Sequence, residues 1–152
     1  MQKKYLLAPG PTPVPPEALL AMAMPIIHHR APDFLPVLDA AKKGLQWLYQ
    51  TKNDVLIICS TGTGGMVGSV NNFLNPGDDV LVVNGGKFGE RWTKICQAYG
   101  MKVEELKIEW GYAVKPEQVE AALKKNPRIK AVFIQANETS TGVYHDIKSV
   151  AA

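Results

Sequence analysis

Several things are nearly missing from this sequence, and each absence excludes something. Only two of its 152 residues are cysteines, Cys59 and Cys96, too few for a disulfide framework or a cysteine-based metal site. A reducing, cytoplasmic setting suits such a chain best. No apolar run approaches the roughly 18 residues that a membrane-spanning helix requires. The opening MQKKYLLAPGP is basic, but Pro9 and Gly10 interrupt its apolar stretch too early for a secretory leader. Charge of one sign is also scarce, since 17 basic residues stand against 14 acidic ones. No Lys/Arg stripe is interleaved with aromatics, so nothing argues for nucleic-acid binding. With 46% hydrophobic and 20% charged residues the composition is neither disordered nor fibrous, and the length is that of about one domain.

Proline and glycine, by contrast, are well supplied and divide the chain. Residues 7–16, LAPGPTPVPP, are too proline-rich for a helix or a central strand. Residues 1–16 therefore read as an extended arm, and 17–152 as the domain that follows. Residues 17–24 read as a short helix opened by Pro16. A longer helix opens at Pro32-Asp33, where Leu38, Ala41, Leu45 and Leu48 recur with the spacing of a stripe facing a core. From Asp54 onward apolar strands alternate with helices. Strands are predicted over 55–59, 79–83, 102–108 and 129–135, the third alternating in part and so nearer an edge. Helices are predicted over 66–74, 87–99 (ended by Gly100) and 116–125. Strands rich in Val and Ile, each followed by a helix, indicate an α/β fold with a mostly parallel sheet. Cys59 reads as core and Cys96 as helix packing. Asp146 reads as the N-cap of a last helix that stops after one turn, the pattern of a truncated polypeptide.

In parallel α/β sheets ligands bind beyond the carboxyl ends of the strands, and three loops there have chemical character. The first, Ser60-Thr61-Gly62-Thr63-Gly64-Gly65, joins an apolar strand to a helix start. It is either a phosphate cradle, built from close-approach glycines, free amides and two hydroxyls, or a tight turn. A Walker A loop would need a Lys that is not there, and a dinucleotide fingerprint would need a third Gly where Val67 stands. The second loop, Asn84 through Trp92, sets Phe88 between glycines. Taken alone Phe88 reads first as a staple for its helix, and second as a face on which a planar ring stacks. The third, Asn137-Glu138-Thr139-Ser140-Thr141-Gly142, is either a polar rim or a hydroxyl-rich turn. Together the three suit a phosphorylated planar ring.

These motifs, with the opening Ala8-Pro9-Gly10-Pro11-Thr12, resemble the class V pyridoxal-phosphate-dependent aminotransferases. The similarity runs to the alanine–glyoxylate and serine–glyoxylate branch, which includes soluble hydrogenase small subunit-like proteins. The resemblance implies a fold-type-I large domain, incomplete at its C-terminus, holding pyridoxal 5′-phosphate. Thr61, Gly62 and Thr63 would hold the phosphate, Phe88 would stack on the ring, and Thr139 would bond its hydroxyl. Gly10 would line the substrate pocket. Arg30, in His28-His29-Arg30, would meet a substrate carboxylate, though a solvated loop is the weightier reading of those three residues. Arg91 reads as a structural ion pair.

The resemblance also marks what these 152 residues do not contain. No lysine matches the family's Schiff-base motif, and the ring-nitrogen aspartate is missing, so no catalytic residue is carried over and the chain alone is expected not to transaminate. The family's topology leaves the first strand alone and the fourth separated from the second and third. Unpaired edges of that kind predict a marginal or aggregating isolated fragment. For the complete protein the resemblance implies a homodimer that moves an amino group from a small amino acid, alanine or serine-like, to glyoxylate or another 2-oxo acid. Alternatives on the same scaffold are a non-catalytic subunit or binding protein and a lyase or desulfurase. For a desulfurase, neither Cys59 nor Cys96 is suitably placed.

Overall fold

Two units divide the chain between Cys59 and Ser60, and the computed structural model describes residues 5–152. The first four residues of the expected arm lie outside that range. In the first unit the proline-rich residues form no helix or strand up to α1, Pro16–Met22, where proline occupies the first turn as its missing N–H allows. Helix α2, Phe34–Leu48, carries the anticipated stripe, but only Leu38 and Leu45 are half-buried, while Ala41 and Leu48 are exposed.

Residues 55–59 depart from expectation. The apolar run forms no strand, and Leu56, Ile57 and Ile58 are exposed at 76, 59 and 74%. A strand exists only through a ladder partner, and among the described residues none lies beside this run. Cys59 is accordingly exposed, not core.

In the second unit α3 (Gly62–Phe73) leads into β1 (Asp79–Asn84), followed by α4 (Lys87–Ala98), β2 (Lys102–Lys107), α5 (Pro116–Lys125) and β3 (Ile129–Phe133). Two short strands, β4 (Asn137–Glu138) and β5 (Val143–Tyr144), make a hairpin that the periodicity did not reveal. A last turn, α6 (Ile147–Val150), is capped by the Asp146 carboxylate, which accepts the Ser149 N–H as anticipated.

Strand β1 is central, with β2 parallel on one side and β3 parallel on the other. The expected separation of the fourth strand from the others is therefore wrong. Val80, Leu81 and Val82 pair directly with Ala131, Val132 and Phe133. Side chains alternate across a strand, so Val80 and Val82 face α3 and α4, packing with Met66, Val70, Trp92, Ile95 and Cys96. Leu81 and Val83 face the other way, onto Val114 and Val119. Both faces are thus covered, which is why DVLVVN reads as a continuous apolar run and not as an alternation. Burial pushes the Cys96 thiol up to about 11, the behaviour of an inert core group. Removing the fully buried Leu81 side chain would cost about 2–5 kcal/mol.

Candidate functional site

The three loops meet along the first two turns of α4. This helix starts behind Gly86, an N-cap with no side chain to accept the leading amides. The acceptors come from the β4–β5 hairpin. Ser140 Oγ accepts the Lys87 N–H at 2.9 Å, and the Glu138 carboxylate accepts the N–H groups of Phe88 at 3.2 Å and Gly89 at 3.0 Å. Ser140 completes the cluster by donating its hydroxyl to Glu138 Oε1 at 2.6 Å. Glu138 is 1% exposed. Burial raises its pKa, but the Ser140 hydroxyl and the amides of Gly89, Phe88 and Ser140 outweigh that and hold it below the ordinary glutamate value. An ionised carboxylate therefore sits where the positive end of the α4 dipole favours it.

Close approach makes two glycines obligatory here. A Cβ on Gly86 would stand 2.6 Å from Glu138 Cδ, and one on Gly89 would stand 2.7 Å from the Asn84 Cα. Behind the cluster lies His145, 2% exposed, whose Nδ1 accepts the Val114 N–H at 3.0 Å. Burial lowers the pKa of this imidazole, and the nearby Glu138 charge opposes the shift without reversing it.

The glycine loop enters the same neighbourhood as the start of α3. Thr61 is its N-cap, accepting the Gly64 N–H on Oγ1 at 3.3 Å, while Gly65 N–H bonds the Thr61 carbonyl. The amides of Gly62 and Thr63, at the open end of the helix, have no intrahelical acceptor. A Cβ on Gly62 would meet nothing within 4 Å, so that backbone is open to a ligand. Thr63 Oγ1 accepts a hydrogen bond from Arg91 Nη1 at 3.0 Å, and the Arg91 guanidinium lies 4.9 Å from the centre of the Phe88 ring. Arg91 was expected in an ion pair; among the described residues its partners are a hydroxyl and an aromatic face.

Thr61, Gly62, Thr63, Phe88 and Thr139 all belong to the second unit, with Thr139 exposed between the anchored Glu138 and Ser140. Gly10 and Arg30 belong to the first unit, both exposed, with the Arg30 N–H donating to His28 Nδ1 at 3.1 Å. Sequence reasoning passed over Glu138, although the signal was present. A helix opening on Gly-Lys-Phe has no cap of its own, and an acidic residue in a distant hydroxyl-rich loop can supply one.

Residues 4–152 match the family model described as aminotransferase class V. The chain belongs to the class V aminotransferases. It is 45% identical over 150 residues to the soluble hydrogenase 42 kDa subunit of Anabaena cylindrica, a match covering 97% of this chain and 39% of that protein. It is 38% identical over 152 residues to the serine–glyoxylate aminotransferase of Hyphomicrobium methylovorum, covering 96% of this chain and 37% of that one. In structure it matches a subgroup IV aspartate aminotransferase from Thermus thermophilus with TM-score 0.88 and 35% identity, covering 97% of this chain and 41% of the other. This class V chain therefore has the fold-type-I architecture and spans about two fifths of its relatives' length. No helix among its described residues is long and apolar enough to cross a membrane.

Proposed function

We propose that this chain is the cofactor-holding N-terminal part of a pyridoxal-phosphate-dependent aminotransferase. In the complete protein it serves transfer of an amino group from a small amino acid to glyoxylate or another 2-oxo acid. The observation that carries the reading is the meeting of the glycine loop, the Phe88 loop and the hydroxyl loop along the first two turns of α4. Its residues fit a phosphorylated ring. The open amides of Gly62 and Thr63, with the α3 dipole behind them, suit a phosphate. Phe88 offers a face for stacking, and Thr139 offers a hydroxyl beside an anchored turn. When bound, the cofactor supplies the electron sink that lets a substrate Cα–H ionise; these residues would orient it, with Phe88 covering one face. Gly10 and Arg30 are proposed to line and charge the substrate entrance.

The test uses the full-length protein. It should bind pyridoxal 5′-phosphate and move the amino group of serine or alanine to glyoxylate. Phe88→Ala and Thr63→Ala should each weaken cofactor binding about tenfold, the effect of losing roughly 1.4 kcal/mol of contact. Unchanged affinity in both variants would remove this assignment of the site. The hydrogenase-subunit name of the Anabaena relative favours a second reading, a non-catalytic subunit on the same scaffold. Cofactor binding without any amino transfer across a donor screen would select it.

A further inference from the structure

Among the described residues Arg91 has no acidic partner. The acid next to it, Glu90, is taken by Lys87 at 2.8 Å on the same face of α4. Arg91 reaches instead across to α3, donating to Thr63 Oγ1 at 3.0 Å, while its guanidinium covers one face of Phe88. It therefore links a residue proposed for the phosphate to the residue proposed for the ring. A guanidinium only donates. Thr63 Oγ1 is thus the acceptor in this bond, and its own proton points away from Arg91, free to donate elsewhere. The cation is held on the Thr63 hydroxyl, in the first turn of α3 whose leading amides lack helical acceptors, and the Phe88 face it occupies leaves only the opposite face for a planar ligand.

We propose that Arg91 is the specificity-determining residue by which this site prefers a phosphorylated pyridoxal to the unphosphorylated one. The inference rests on the function proposed above. It acts through two groups: Arg91 fixes the Thr63 hydroxyl as a donor toward an anion at the start of α3, and it adds the positive charge that the anion completes. A purely structural Arg91 would alter both ligands alike. A selectivity residue alters their ratio.

The experiment titrates the full-length protein, freed of cofactor, with pyridoxal 5′-phosphate and with pyridoxal, following protein fluorescence, and repeats the titration in competition with inorganic phosphate. Arg91→Met should weaken the phosphorylated ligand about tenfold and pyridoxal less than about twofold, so the preference falls by nearly the whole of that factor. Arg91→Lys, which keeps the charge but not the fork, should restore part of it. Lys94→Met, one turn along the same helix, removes an equal charge and should leave the preference unchanged. Inorganic phosphate should compete less well in Arg91→Met than in the unaltered protein. Equal weakening of both ligands in Arg91→Met, or an equal loss of preference in Lys94→Met, would overturn the inference while leaving the proposed function standing. Failure of the unaltered protein to bind either ligand would overturn both.

Discussion

Replacing Glu138 tests whether the site is held together as described. Its carboxylate is the acceptor for the Phe88 and Gly89 amides and for the Ser140 hydroxyl, in a place that is 1% exposed. In Glu138→Ala two amides of the α4 first turn lose their partner where water cannot replace it. Each orphaned donor costs about 1–3 kcal/mol, and breaking a buried charged cluster costs roughly 3–5 kcal/mol in total. Against a whole-domain stability of about 5–15 kcal/mol that loss could prevent folding. Glu138→Gln is therefore the sharper variant. One carbonyl oxygen still accepts, but the amide NH2 now faces an N–H, and a loss of about 1.5–3 kcal/mol is expected. Denaturant unfolding of the full-length protein would measure it, and hydrogen exchange would show faster opening at Phe88 and Gly89. A Glu138→Gln protein within about 0.5 kcal/mol of the unaltered one, with unchanged exchange at those amides, would refute the account.

Further outcomes are expected. Gly89→Ala should cost about 1–3 kcal/mol in the same unfolding assay, because its Cβ meets Asn84 and Val83 backbone atoms that cannot swing aside. Gly62→Ala, with open space around it, should leave stability unchanged. The imidazole of His145 has a depressed pKa in the fold, so the unfolded chain binds its proton first as pH falls. Stability should therefore decline as pH drops below 6.5, and Glu138 should add to the decline only below 4.5. Substituting His145→Asn should flatten the upper part of that slope in pH-dependent unfolding curves. Finally, residues 1–152 expressed alone should be marginal or aggregate, since Leu56, Ile57 and Ile58 are exposed in sequence. A sharp, two-state melt of a monomer would contradict this.

What could be read from the sequence was what local spacing encodes. The β1 run, the α4 and α5 helices with their Gly100 and Pro116 boundaries, and the edge character of β2 follow from periodicity and breakers. Residues 55–59 show the limit. Their apolarity is a statement about burial, but a strand is a statement about a partner, and the partner is not encoded nearby. The same holds for the site. Each of the three loops displayed its residue types, yet the residues that join them, Glu138 and Arg91, act over 49 or 50 and 28 positions of chain. No local pattern contains those distances.

The two margins of the three-stranded sheet differ in a way that sets a direction. The outer margin is β2, Lys102-Val-Glu-Glu-Leu-Lys107, whose four charges in six residues discourage another strand from docking there. The opposite margin is β3, Ile129-Lys-Ala-Val-Phe133, with one charge and partly buried apolar side chains on either side of it. A sheet with one guarded side and one receptive side grows in a single sense. A further strand of a longer polypeptide would meet less resistance beside β3 than beside β2.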